Sequence, residues 1–107
     1  MIFTYNDGFY KLARITGPCH NLLCIKLSNV SVDNIIMTPV GAEQPENITA
    51  DEVHKQVIEG LQYINEHFPL KFHVSEVQYL PSDTYSRNVY RKLIIEIARR
   101  ILLESTD

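Results

Sequence analysis

The last quarter of the chain carries the pattern that most narrows its fold. Val89, Tyr90, Leu93, Ile94, Ile97, Ala98, Ile101 and Leu102 form apolar pairs that repeat every four residues, the spacing of one buried helix face. Arg87, Arg91, Lys92, Glu96, Arg99 and Arg100 fall mostly elsewhere on the same helix. Pro81-Ser82-Asp83-Thr84 supplies turn and cap residues just ahead, so the helix is predicted to start there. With Leu103 the stripe is wider than the ~100° that a single core-facing helix needs.

A second helix is announced by Thr49 and Glu52, which have the spacing of a capping box, with Ile48 and Val53 placed as a hydrophobic staple. Val53, Val57, Leu61, Ile64 and Phe68 continue at helical spacing until Pro69. Gly60 lies inside this run at a cost of about 1 kcal/mol relative to Ala, and close packing of helix on sheet is the expected reason.

The first half reads as strands. Phe3-Thr4-Tyr5 and Phe9 to Ile15 flank Asn6-Asp7-Gly8, residues that tolerate positive φ, which predicts a tight hairpin. Gly17-Pro18 ends the second strand, Leu22–Leu27 forms a third and Ile35–Thr38 a short fourth, with a polar loop over 41–47. Phe72–Leu80 forms a fifth strand whose alternation changes parity between Val74 and Val77, so a bulge or two-sided burial is expected. The order β-β-β-β-α-β-α predicts an α+β, two-layer fold. A mostly antiparallel sheet of four to five strands would carry both helices on one face.

A length of 107 residues fits one domain, long enough to bury a core without disulfides or metals. The net charge of −3 gives no global reason to bind a polyanion. It is unevenly placed, five Lys/Arg against ten Asp/Glu up to residue 83 and five against three thereafter. Met1-Ile2-Phe3-Thr4 lacks the basic and apolar regions of a secretion signal. The chain is therefore expected in the cytoplasm, with Cys19 and Cys24 reduced. No apolar run approaches the roughly 18 residues of a membrane span.

Two helices cover only one face of a sheet, yet several strands are apolar on both. Leu23, Ile25 and Leu27 oppose Leu22 and Cys24, and Ile36 opposes Ile35 and Met37. Apolar surface on two sides predicts a homo-oligomer or docking on another chain.

Candidate chemistry is sparse. Cys19, His20 and Cys24 are soft ligands, but a structural zinc site needs four, and only scattered His54, His67 and His73 could complete it. The structural reading is preferred, with Cys24 in a strand core and Cys19 and His20 in a loop; neither metal nor cofactor is expected. No phosphate loop, dinucleotide fingerprint or nucleophile elbow occurs, so the balance is against an enzyme. The segment Ser82 to Arg91 could hold an anion or nucleic acid at a helix start. Ser82 and Thr84 would offer hydroxyls, Arg87 and Arg91 a clasp four residues apart, and Tyr85 or Tyr90 a stacking ring. Lys92, Arg99 and Arg100 extend that basic face. The competing structural reading has Ser82 or Asp83 capping the helix, Asp83 pairing with Arg87, and Tyr90 in the core.

Residues 56–79 carry a family resemblance. Gln56-Val57-Ile58-Glu59-Gly60-Leu61 in a helix, then Pro69-Leu70, then a strand with Val74, Val77 and Tyr79 resemble the ribosomal-protein S5 domain 2-like topology, as in domain IV of elongation factor G. That resemblance implies contact with RNA or the ribosome. Three functional readings follow. The first is a non-catalytic protein-binding or assembly module. The second is a nucleic-acid-associated module using the basic helix face. The third is a small-molecule-binding protein or enzyme with its pocket near residues 79–91.

Overall fold

Asp7 (φ 53°) and Gly8 (φ 85°) both take the left-handed backbone of a two-residue hairpin turn, which joins β1 (Ile2–Asn6) to β2 (Phe9–Thr16). The computed structural model describes residues 2–16, 19–41, 47–69, 71–83 and 87–105, with backbone alone at 15, 16, 19, 20 and 105. The remaining elements are β3 (Cys19–Ser28), β4 (Ile36–Pro39), α1 (Ala50–His67), β5 (His73–Tyr79) and α2 (Val89–Ser105). The fold is α+β in the order β-β-β-β-α-β-α, as the patterning predicts. The Gly17-Pro18 break and most of the 41–47 loop lie outside the described residues. Cys19 and His20, expected in a loop, have strand backbone instead, because β3 pairs with β2 as far as Thr16 opposite Cys19.

The sheet order is β1-β2-β3-β5-β4. Neighbours are antiparallel except β4 and β5, which run parallel with α1 as the crossover between them. Register aligns the apolar rows across the sheet. Leu12 faces Leu23 and Leu23 faces Tyr79; in the next row Tyr10, Ile25, Val77 and Met37 follow in turn. These rows meet Val57 and Ile64 of α1 and Leu93 and Ile97 of α2 in one continuous core. The opposite row, Thr4, Lys11, Cys24, Gln78 and Thr38, is carried on the uncovered face.

The parity change in β5 is a bulge. Lys26 pairs with Glu76 but Leu27 pairs with Val74, which leaves Ser75 as the extra residue. Its hydroxyl donates to the Lys26 carbonyl at 3.3 Å. The bulge is what lets Val74 and Val77, three positions apart, both be buried on the helix side.

Helix α1 begins as the sequence predicts, with the Glu52 N–H donating to Thr49 Oγ1 at 3.2 Å. Ile48 and Val53 both lie in the core. The Glu52 side chain, expected to reach back, instead accepts from Gln56 Nε2 at 3.0 Å. That bond orients Gln56, buried at 2 % exposure, so that its Oε1 accepts the Tyr90 N–H at 2.8 Å. One helix thus satisfies an otherwise orphaned donor in the first turn of the other. At its far end the Asn65 side chain both accepts from the Phe72 N–H (2.7 Å) and donates to the Phe72 carbonyl (3.1 Å), tying the helix exit to β5.

Two expectations about the helices are corrected. Helix α2 starts at Val89, not within Ser82–Thr84; Asn88 (φ 66°) precedes it and accepts the Lys92 N–H at 3.1 Å. The Asp83 Oδ2 accepts from the Leu22 N–H and the Tyr90 hydroxyl. Gly60 packs against α2 and not against the sheet. A Cβ at Gly60 would collide with the Ile94 side chain and stand 3.1 Å from the Arg91 carbonyl oxygen. This contact also absorbs much of the wide apolar stripe of α2, since Ile94, Leu93, Ile97 and Ala98 are all buried within the chain. Leu103 alone of that stripe is 62 % exposed.

Gly60→Ala should therefore destabilise the fold by about 1–3 kcal/mol through overpacking. At an open helix position the same change would stabilise by roughly 1 kcal/mol. Chemical denaturation gives the sign directly, and a raised midpoint would contradict the close approach of the two helices.

Candidate functional site

The segment between β5 and α2, singled out as a possible anion site, is built around a buried carboxylate. The Pro81 carbonyl accepts both the Asn47 N–H (2.8 Å) and the Ile48 N–H (3.1 Å). The Ser82 carbonyl accepts from Asn47 Nδ2 at 3.2 Å. The chain then turns, with the Asp83 N–H donating to the Leu80 carbonyl at 3.0 Å, and Asp83 is carried inward to 0 % exposure. Its Oδ2 accepts the Leu22 N–H and the Tyr90 hydroxyl, each at 2.8 Å. Asn21, itself buried, also hydrogen-bonds the Tyr90 hydroxyl. Asp83 thereby joins β3, the β5–α2 turn and the first turn of α2.

Burial raises the Tyr90 phenol pKa well above the ordinary 10, and the hydrogen bond to Asp83 adds to the shift. A phenol held so firmly protonated is no proton donor or base at neutral pH, and its ring at 1 % exposure offers no face for stacking. Tyr90 is a structural residue.

The other sequence candidates scatter. Thr84 and Tyr85 lie outside the described residues, and Ser82 is half-buried. Arg87 and Lys92 are exposed. The Arg91 guanidinium lies over the Tyr63 ring at 5.8 Å, and that of Arg100 over Phe3 at 5.6 Å. Arg99 (2.9 Å) and Arg100 (3.1 Å) both pair with Glu96. A carboxylate between two arginines interrupts the basic face, so α2 presents separated cations and not a continuous anionic-backbone track.

Of several shallow grooves, two hold the remaining candidate histidine and cysteine side chains. One, of about 270 Å³, lies between α1 and the β3–β4 connection and includes His54, His73 and Asp33. Among the described residues no three His, Cys, Asp or Glu side chains are grouped to hold a metal ion. The other, of about 410 Å³, crosses the uncovered sheet face over Lys11, Cys24 and Gln78. Cys24 is buried there as the strand-core residue expected. Burial raises its thiol pKa, and nearby Lys11 opposes this only in part, the reverse of the environment that activates a cysteine nucleophile.

Large apolar side chains are exposed at Val30, Ile36, Ile58 and Leu103, and two more stand together on the β1 edge. Ile2 is 57 % and Tyr5 61 % exposed, although Tyr5 rests on Tyr10 at 4.5 Å and Phe3 stacks on Tyr10 at 6.1 Å. Arg100 reaches Phe3 from the last turns of α2, and Glu104 acts electrostatically on Tyr10, so this helix end lies above the β1–β2 hairpin. The sequence marks the hairpin, but no local signal says that β1 is left at the edge.

No protein-family model matches the chain, nor does any curated protein or solved structure. Among the described residues no helix is long and apolar enough to cross a membrane.

Tyr90→Phe should cost about 1–3 kcal/mol at neutral pH by depriving the buried carboxylate of a donor. The pH dependence has a definite sign. A phenol whose folded pKa is raised contributes stability that is complete below pH 10 and lost as pH rises beyond it. Urea unfolding from about pH 9 to about pH 11.5 should show a steeper alkaline decline for the parent chain than for the variant. Parallel curves would reject the assignment.

Proposed function

We propose that this chain is a non-catalytic assembly module that works through protein–protein contact, with a second copy of itself as the partner. The observation that carries this reading is the exposed apolar strand β1 at one edge of the sheet, with Ile2 and Tyr5 turned to solvent on its two faces. Exposed aromatic and aliphatic side chains on a strand edge favour association. The groups best suited to chemistry support the same view, since Asp83 and Tyr90 bond to each other in the interior and the Cys24 thiol is held protonated by burial.

The nucleic-acid reading, and the ribosomal-protein S5 domain 2-like resemblance behind it, finds less support. It would need Arg99 and Arg100 to leave Glu96 and Arg91 to leave Tyr63. A small-molecule pocket over residues 79–91 would need space where Tyr79, Asp83 and Tyr90 are already enclosed.

Light scattering coupled to gel filtration tests the proposal. The expected particle mass is at least twice the 12.4 kDa of the chain. A particle of single-chain mass at all concentrations up to roughly 50 μM, a level at which micromolar dimers are populated, would reject it.

A further inference from the structure

We infer that two copies pair through β1, antiparallel and centred on Thr4, to make one continuous ten-stranded sheet. The inference rests on the assembly reading above and adds the surface, the register and the symmetry.

The two-residue turn fixes which backbone groups are available. Asn6 and Phe9 flank it as the closing hydrogen-bonded pair, and pairs along an antiparallel ladder alternate between bonded and non-bonded. Ile2, Thr4 and Asn6 therefore direct their N–H and C=O groups at β2, while Phe3 and Tyr5 direct theirs outward. A two-fold axis through Thr4 sets Phe3 opposite Tyr5 of the second copy, and the reverse. Those are the residues with outward groups, so the register makes four interchain hydrogen bonds and uses all five residues of β1.

The side chains agree with that register. The segment Ile2-Phe3-Thr4-Tyr5-Asn6 has no charge, no proline and no bulge, none of the devices that keep an edge strand from pairing. No like charges meet across the axis. On the helix side Phe3 would face Tyr5 of the second copy, an aromatic cross-strand pair. Above them the charges are complementary. Arg100 lies over Phe3 and Glu104 lies toward Tyr10, which packs on Tyr5. The two-fold brings Glu104 of the second copy to the same side of the seam as Arg100, whose guanidinium already bonds Glu96 within its own chain. The opposite edge also exposes an apolar side chain, Ile36, but β4 has only four residues and ends in Pro39, so it offers the shorter ladder.

The test is site-directed cross-linking in the full chain carrying Cys19→Ser. Thr4 and its symmetry mate form a non-bonded pair with Cα atoms about 4.5 Å apart, within disulfide reach. Thr4→Cys should oxidise to a covalent dimer, whereas Asn6→Cys should not, its mate lying about 13 Å along the strand. Tyr5→Pro removes an outward N–H at an edge position that tolerates proline; it should raise the dimer dissociation constant at least ~10-fold while circular dichroism stays native. Thr4→Lys, which sets two cations at the axis and keeps the hairpin bonds, should do the same. A parent chain of double mass in which Thr4→Cys fails to cross-link and both disruptive variants stay dimeric would overturn this pairing and leave assembly through another surface. A parent chain of single mass would overturn both.

Discussion

A carboxylate with no solvent exposure is the constraint around which the rest of this fold is arranged. Burying Asp83 charged would cost several kcal/mol without partners. The Leu22 N–H and the Tyr90 hydroxyl, both at 2.8 Å, supply that compensation. Each comes from a different element, so strand β3, the turn after β5 and the start of α2 must all be in place before Asp83 Oδ2 has both its donors. The same turn accepts two N–H groups at the entry to α1 through Pro81. Three segments, at β3, the entry to α1 and the start of α2, therefore converge on residues 81–83.

The helix layer is locked in a complementary way. Gly60 permits the backbones of α1 and α2 to come close at Arg91 and Ile94, and Gln56 hands a side-chain acceptor to the Tyr90 backbone. Tyr90 consequently ties the start of α2 in two directions, through its N–H to α1 and through its hydroxyl to Asp83 in the preceding turn. Its position directly after Val89 brings partners from outside the helix to the first turn of α2.

How much of this could be read from residues alone follows from the range of each interaction. The hairpin at Asn6-Asp7-Gly8, the Thr49 cap and the parity change around Ser75 are local, and each was legible. So was the α+β order, because apolar periodicity reports burial one element at a time. The start of α2 was not, since Pro81-Ser82-Asp83-Thr84 carries good cap chemistry that tertiary contacts divert into the interior. Nor was the reason for Gly60, as a glycine within a helix does not say which neighbour approaches it. Of the candidate binding residues, the charges of Arg99 and Arg100 were plain in the sequence. Their sharing of Glu96 needed the helix geometry, and the lateral place of β1 needed the full strand order.

The two borders of the sheet are unequal, and that inequality bears on how far the protein can grow. A flat sheet with two competent borders can polymerise, each added subunit offering a fresh template to the next. Here one border is a neutral five-residue strand and the other a four-residue strand closed by Pro39. Growth by strand addition is thus disfavoured once the neutral border is occupied, because the border that remains is a four-residue strand closed by proline.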